Sequence, residues 1–167
     1  IARRHEALRT SFSSVDGRPR QVIHPPEPLQ LSLVDLETFT PSERQTEAKR
    51  LIAEEAFLPF DLARGPLFRA TLLPLGEREH ILLLTMHHIV SDGWSMSILW
   101  RELHQLYSAF LAEQASPLEE LPIQYADYAA WQSEQLTDEG WAEQLNYWKQ
   151  QLAGAPPRLE LPTDRVR

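Results

Sequence analysis

The chain has 167 residues, 43% of them hydrophobic, with 16 basic and 24 acidic side chains and a formal charge of −8 when histidines are neutral. That is one domain's worth of chain, long enough to bury a core without disulfide or metal staples. It holds no cysteine, which excludes disulfides, thiolate chemistry and cysteine-built zinc modules, and its acidic balance offers no electrostatic footprint for nucleic acid.

The apolar runs, such as residues 81–84, fall far short of the roughly 20 residues that span a bilayer, and no signal-peptide pattern opens the chain. The expectation is a cytoplasmic protein that binds neither membrane nor nucleic acid. The chain begins at Ile1 inside a helix-like stretch and stops abruptly at Arg167, so it is expected to be cut from something longer.

Residues 6–8 read as the end of a helix. Strands follow over 10–15 and 20–24, with Asp16 and Gly17 between them as a hairpin signal. After Pro25 and Pro26, alternation over 29–34 predicts a third, half-buried strand. Thr40, Pro41 and Glu43 then mark a helix start, as cap, first-turn proline and the acid that closes a capping box. Ala48, Leu51, Ile52 and Ala56 continue that helix. A turn-rich connection through Phe60, Asp61, Gly65 and Pro66 leads into a strand over 67–75, and residues 77–79 form a solvated turn.

Residues 80–90 are the most β-like of the chain and deliver it to Ser91, Asp92 and Gly93. Leu99, Leu103, Leu106 and Phe110 recur at helical spacing and predict a helix over 94–113. Shorter helices are predicted over 125–132 and 140–152, and Gly154, Pro156 and Pro157 stop the last one before an extended tail. Strands and helices interleave, so the fold class is α/β or α+β, a mixed sheet covered by helices.

The chemistry-bearing stretch is His87-His88-Ile89-Val90-Ser91-Asp92-Gly93. Successive side chains on a strand point to opposite faces, so one histidine faces the core and the other an open channel. Asp92, at the mouth of the next helix, can orient a histidine, cap the helix or pair with an arginine. Gly93 permits close backbone approach or a positive φ. The bland alternative is a pair of satisfied polar residues at a strand end. Metal binding is not expected, because adjacent histidines on a strand diverge and no other cluster of ligand spacing accompanies them. His5, His24, His80 and His104 read as structural or solvent-facing.

His87-His88-x-x-x-Asp92-Gly93 resembles the signature of the condensation domains of nonribosomal peptide synthetases, a family related in fold to chloramphenicol acetyltransferase. Residues 4–12, Arg4-His5-Glu6-Ala7-Leu8-Arg9-Thr10-Ser11-Phe12, are similar to the block that precedes that signature. Tyr125-Ala126-Asp127-Tyr128-Ala129-Ala130-Trp131 is similar to the block that follows, and residues 147–164 to the passage toward a second lobe. The resemblance covers essentially the whole chain. It implies that residues 1–167 are the N-terminal lobe of a two-lobed domain, without the first conserved block and the C-terminal lobe, and with the active site in a tunnel between lobes.

The activity implied by the resemblance is amide-forming acyl transfer in antibiotic and other secondary-metabolite biosynthesis. An upstream peptidyl carrier domain presents an acyl or peptidyl thioester on a phosphopantetheine arm, and the α-amine of an aminoacyl group on a downstream carrier attacks it. No cofactor is bound by the domain itself, an adenylation domain is an adjacent partner, and the isolated lobe is expected to be inactive. By the same resemblance His88 is the catalytic residue in the channel, His87 packs behind it, and Asp92 is a structural aspartate paired with Arg9 or Arg4.

Ser91-Asp92-Gly93-Trp94-Ser95 resembles domains that join two L-configured residues. The alternatives are an epimerisation domain of the same superfamily and a condensation-like domain that only recruits a partner. A glycerolipid acyltransferase, suggested by the His87–Asp92 spacing, is disfavoured by the acidic charge and the lack of a basic amphipathic helix. Trp131, Trp141, Tyr147 and Trp148 read as core or lobe packing rather than a docking surface.

Overall fold

Asp16 and Gly17 adopt φ of 52° and 74°, the two left-handed positions that a tight two-residue hairpin turn requires. They fold β1 (Thr10–Val15) antiparallel onto β2 (Arg18–Ile23), with Val15 opposite Arg18. The helix end predicted before β1 is a single 3-10 turn, Glu6–Arg9. The computed structural model describes residues 1–36, 38–135, 138–157 and 162, with residues 138–140 as backbone only. It divides into two units, Ile1–Asp127 and Tyr128–Arg167.

The first unit also holds a three-stranded sheet in the order β3 (Leu31–Leu33), β4 (Phe68–Pro74), β5 (His80–Met86). β3 runs parallel to β4, and β5 antiparallel to it. A parallel pair needs a crossover, which α1 (Pro41–Phe57) supplies. The helix starts where the sequence predicts. Glu43 N–H donates to Thr40 Oγ1 at 3.4 Å, and the Glu43 carboxylate accepts the Thr40 N–H at 2.9 Å. Ala48, Leu51 and Ile52 of α1 pack with Leu36, Leu73 and Ile81 to make the core between helix and sheet. β3 is shorter than its alternation suggests, and Leu31 and Leu33 remain exposed.

The predicted strand over residues 80–90 ends at Met86, because its partner β4 begins at Phe68, opposite Met86. One bond continues beyond the ladder, from His87 N–H to the carbonyl of fully buried Leu67 at 3.0 Å. Past that point β4 offers nothing more to pair with, and Val90 N–H turns back onto His87 C=O at 3.1 Å. The chain therefore leaves the sheet in a tight turn before α2 (Gly93–Leu111). The buried residues of α2 are Leu99, Glu102 and Ala109. Of the predicted apolar repeat Leu99 is buried, Leu103 and Leu106 are half-buried and Phe110 is exposed, with Ala109 in its place.

In the second unit lie most of α3 (Tyr125–Gln135) and all of α4 (Asp138–Gln151). Trp131, Trp141, Tyr147 and Trp148 are each more than half exposed, so of the core or lobe packing expected of them the core half does not form among the described residues. Their ring contacts are local, Tyr128 with Trp131 at 5.8 Å and Tyr147 with Trp148 at 5.3 Å between centroids. Pro162 apart, the predicted tail lies outside the described residues. No helix among the described residues is long and apolar enough to cross a membrane.

Candidate active site

The turn over residues 87–92 is organised by the His87 side chain. Its Nδ1 accepts the Ile89 N–H at 3.0 Å, and Ser91 Oγ donates to the His87 carbonyl at 3.3 Å. A nitrogen that accepts carries no proton, so the neutral ring is protonated on Nε2. The ring is half-buried and meets Phe60 edge-on, with centroids 5.9 Å apart and planes at 88°. His88, one residue on, is exposed and lines a cavity of about 510 Å³. The turn, rather than strand alternation, separates the two imidazoles. Leu8, Met86, Ile89, Val90, Met96 and Leu99 give the cavity apolar walls, with Asp92, Ser95, His5 and Tyr125 also at its surface.

Asp92 is the N-cap of α2. Its Oδ1 accepts the Ser95 N–H at 2.8 Å and the Ser95 hydroxyl at 2.6 Å, while Asp92 N–H donates to Ser95 Oγ at 2.7 Å. The Ser95 hydroxyl, followed by the Ser95 N–H, holds this carboxyl below the usual carboxylate range, with smaller help from the Trp94 N–H and from His88. A carboxyl with a depressed folded pKa stabilises the fold fully above its unfolded value of about 3.9, and the stabilisation is lost as pH falls through the lower folded value. Asp92→Ala is therefore expected to lower the melting temperature at pH 7, with the difference from the native protein narrowing below about pH 4. Thermal melts of both proteins from pH 3 to pH 7 check this.

Neither arginine expected to pair with Asp92 reaches it. Arg4 Nη1 binds Glu102 Oε1 at 2.6 Å, and its Nε donates to the Glu119 carbonyl at 2.8 Å. Arg9 Nη2 binds Glu6 at 3.1 Å and Nη1 donates to the His24 carbonyl, leaving Nε as a buried nitrogen without a hydrogen-bond partner. Asp92 is held by its own helix cap through Ser95, three residues on, while both arginines are engaged elsewhere. Gly93 departs from one of its two expected uses, a positive φ, and leaves room for the other, close backbone approach. It is the first residue of α2, its φ is not positive, and a Cβ there would meet nothing within 4 Å.

Sequence reasoning missed Glu102. It is 4% exposed, on the buried face of α2, and its two oxygens bind Arg4 Nη1 at 2.6 Å and His5 Nε2 at 2.7 Å. His5 Nε2 must carry its proton to donate to a carboxylate, so the network fixes the tautomer of an imidazole at the cavity wall. Gln124 reinforces the same corner, donating to the Arg4 carbonyl at 3.0 Å and accepting the Glu6 N–H at 3.1 Å. The available signal was an acid three residues after Leu99, inside the apolar seam. His24, read as structural, hydrogen-bonds Ser11 Oγ at 2.8 Å. Among the described residues no three or more His, Asp or Glu side chains converge to hold a metal ion.

Comparison with known proteins places this geometry in a family. The Condensation domain family model matches residues 1–167. The chain is 53% identical over its full length to a part of a linear gramicidin synthase protein of Brevibacillus parabrevis, and spans 3% of that protein. Among solved structures, the X-domain in its complex with OxyB from teicoplanin biosynthesis matches with a TM-score of 0.80 and 34% identity, covering 99% of this chain and 36% of that one. The epimerization domain from the third module of tyrocidine synthetase B matches with a TM-score of 0.76 and 27% identity, covering 98% and 36%. With the family model matched from end to end and the histidine turn seated at the end of a mixed sheet, the chain belongs to the condensation-domain family.

Proposed function

We propose that this chain supplies one wall of a channel in which a peptide bond forms between two carrier-bound groups during nonribosomal peptide synthesis. The observation that carries the reading is His88, exposed at the cavity while His87 is tucked behind it and Asp92 caps the adjoining helix. The α-amine of an aminoacyl group on the downstream carrier attacks the thioester carbonyl presented by the upstream carrier. A C–N bond forms, the C–S bond breaks, the ammonium proton passes to the His88 imidazole, and the imidazolium returns it to the departing pantetheine thiolate. The proposed setting is the cytoplasm, with a C-terminal lobe and an adenylation domain as further partners. The domain needs no cofactor of its own, since both phosphopantetheine arms arrive with the carriers.

An α-amine has a pKa of about 7.7–8.0, so roughly a tenth is already neutral at pH 7. Making the nucleophile is therefore the lesser demand. Accepting the proton released after attack is general-base work worth about 10²–10⁴-fold, and holding the amine in line contributes on the same scale or more. The apolar walls keep water from the thioester, and the open space at Gly93 leaves room for an arm beside the start of α2. The run Ser91 to Ser95 supports two L-configured substrates.

A second reading, recruitment without chemistry, is favoured by the likeness to the X-domain, which has been solved in complex with OxyB. The intact His88, Asp92 and Gly93 favour catalysis. The test places the complete domain between two carriers loaded with L-aminoacyl groups and reads the intact mass of the downstream carrier. A dipeptidyl mass is expected. Inversion of the upstream residue without coupling would identify epimerisation, and no chemistry on either carrier would identify recruitment.

A further inference from the structure

We infer that Phe60 and Arg69 are positioning residues that hold the turn carrying His88, acting through the ring of His87. The inference rests on the proposed role of His88. Arg69 projects from β4, and its Nε binds Glu55 Oε1 of α1 at 2.5 Å while Nη2 donates to the Leu58 carbonyl at 3.1 Å. Bonds to two points on α1 and its end fix the plane of the guanidinium. Its central carbon stands 3.8 Å from the centroid of the Phe60 ring, a cation stacked on an aromatic face. Both charged partners are largely buried, with Arg69 and Glu55 side chains 25% and 16% exposed.

Phe60 passes that order on to His87 through the edge-on contact at 5.9 Å. The orientation of His87 then matters for the backbone, because its Nδ1 accepts the N–H of Ile89. That bond spans His88 and ties the residue before it to the residue after it. The His87 carbonyl meanwhile accepts from Val90 N–H and Ser91 Oγ. If the His87 ring turned, Ile89 N–H would lose its partner and the backbone at His88 would be freed. Glu55, Arg69 and Phe60, well outside the histidine motif in sequence, thus form with His87 a packed row from α1 to the turn.

The test uses the complete synthetase and single-turnover peptide-bond formation. Phe60→Leu keeps an apolar group but removes the ring, and is expected to slow the reaction about tenfold to a hundredfold, the scale of a small misplacement of a reacting group. The downstream-carrier concentration for half-maximal rate should stay within about twofold, as expected of a residue that acts through His87 rather than on the carrier. Phe60→Tyr, which keeps the ring, should restore most of the rate, and Arg69→Met should fall between native and Phe60→Leu. Added to His88→Ala, Phe60→Leu should lower the residual rate less than about twofold, as expected of residues acting as one unit.

Native rates in both Phe60→Leu and Arg69→Met, with His88→Ala inactive, would overturn this inference alone. If Phe60→Leu does not fold, Arg69→Met and its combination with His88→Ala decide the question. A native rate in His88→Ala would remove the role of His88 and this inference with it. Equal losses in all variants, Phe60→Tyr included, would mark a packing role and overturn the inference.

Discussion

Replacing Glu102 with alanine is expected to destabilise the fold by about 3–5 kcal/mol, the cost of breaking a buried ion pair by removing one partner. The size follows from what is left behind. The Glu102 side chain is 5% exposed, and Arg4 and His5, at 16% and 24%, pair with no other carboxylate among the described residues. A guanidinium largely shielded from solvent would remain without its carboxylate. The expectation has an internal control. Arg4→Met combined with Glu102→Leu removes both charges together, and apolar replacement of a whole buried pair is often neutral or stabilising. The double variant should therefore recover much of the loss, although Arg4 also forfeits its bond to the Glu119 carbonyl. Urea unfolding of the native protein, Glu102→Ala and the double variant measures all three. Equal stability of Glu102→Ala and the native protein would show that the pair is not closed in solution.

His88→Ala should behave in the opposite sense. His88 is exposed and no hydrogen bond of the turn runs through its side chain, so stability should change by no more than about 0.5 kcal/mol, as for surface substitutions generally. The rate of peptide-bond formation in the complete domain should fall about 10²–10⁴-fold, or about 3–5 kcal/mol of barrier. His88→Gln separates the two contributions. Glutamine can hydrogen-bond an amine but cannot accept its proton at neutral pH, so a partial rate in His88→Gln assigns that part to positioning. Raising the pH toward 8.5 deprotonates more of the amine, and both variants should gain relative to their rates at pH 7. Quenched-flow sampling of the downstream carrier gives these rates.

The parts of the fold that were legible in the sequence are those written in local chemistry. The Thr40–Glu43 capping box and the Asp16-Gly17 hairpin depend on residues within a few positions of each other, and both form. The end of β5 was not legible, because it is set by where β4 begins. A β-like run carries no mark of the point at which its partner gives out. The same holds for Asp92. Arginine pairing and helix capping both suit a carboxylate before a helix, and the cap with Ser95 is the one that forms.

The resemblance of the motif to a known family reached the right family, but the role of Glu102 depended on three-dimensional burial. Its sequence position differs from that of a solvated helix acid only in falling on the seam of Leu99 and Ala109. The Phe60–His87 contact likewise joins positions far apart in sequence. Conversely, the helical setting of Trp131, Trp141, Tyr147 and Trp148 suggests packing in the core or on a second lobe, and with more than half of each exposed they are not core residues of this chain. Residue type alone does not say which face of a helix finds a partner.

The most direct measurement replaces the aminoacyl group on the downstream carrier arm with a bromoacetyl group and maps where the complete domain is alkylated. The bromide takes the place of the amine, so an imidazole nitrogen facing that place forms an N–C bond as the C–Br bond breaks, which links the domain to the carrier arm. Hydrolysis of the pantetheine thioester then leaves a carboxymethyl group on the ring, visible by peptide mass. An adduct is expected on His88, lost in His88→Ala and suppressed by a downstream carrier bearing a native aminoacyl group. An adduct confined to residues outside the cavity, with His88 unmodified while the loaded carrier supports coupling, would contradict a catalytic His88.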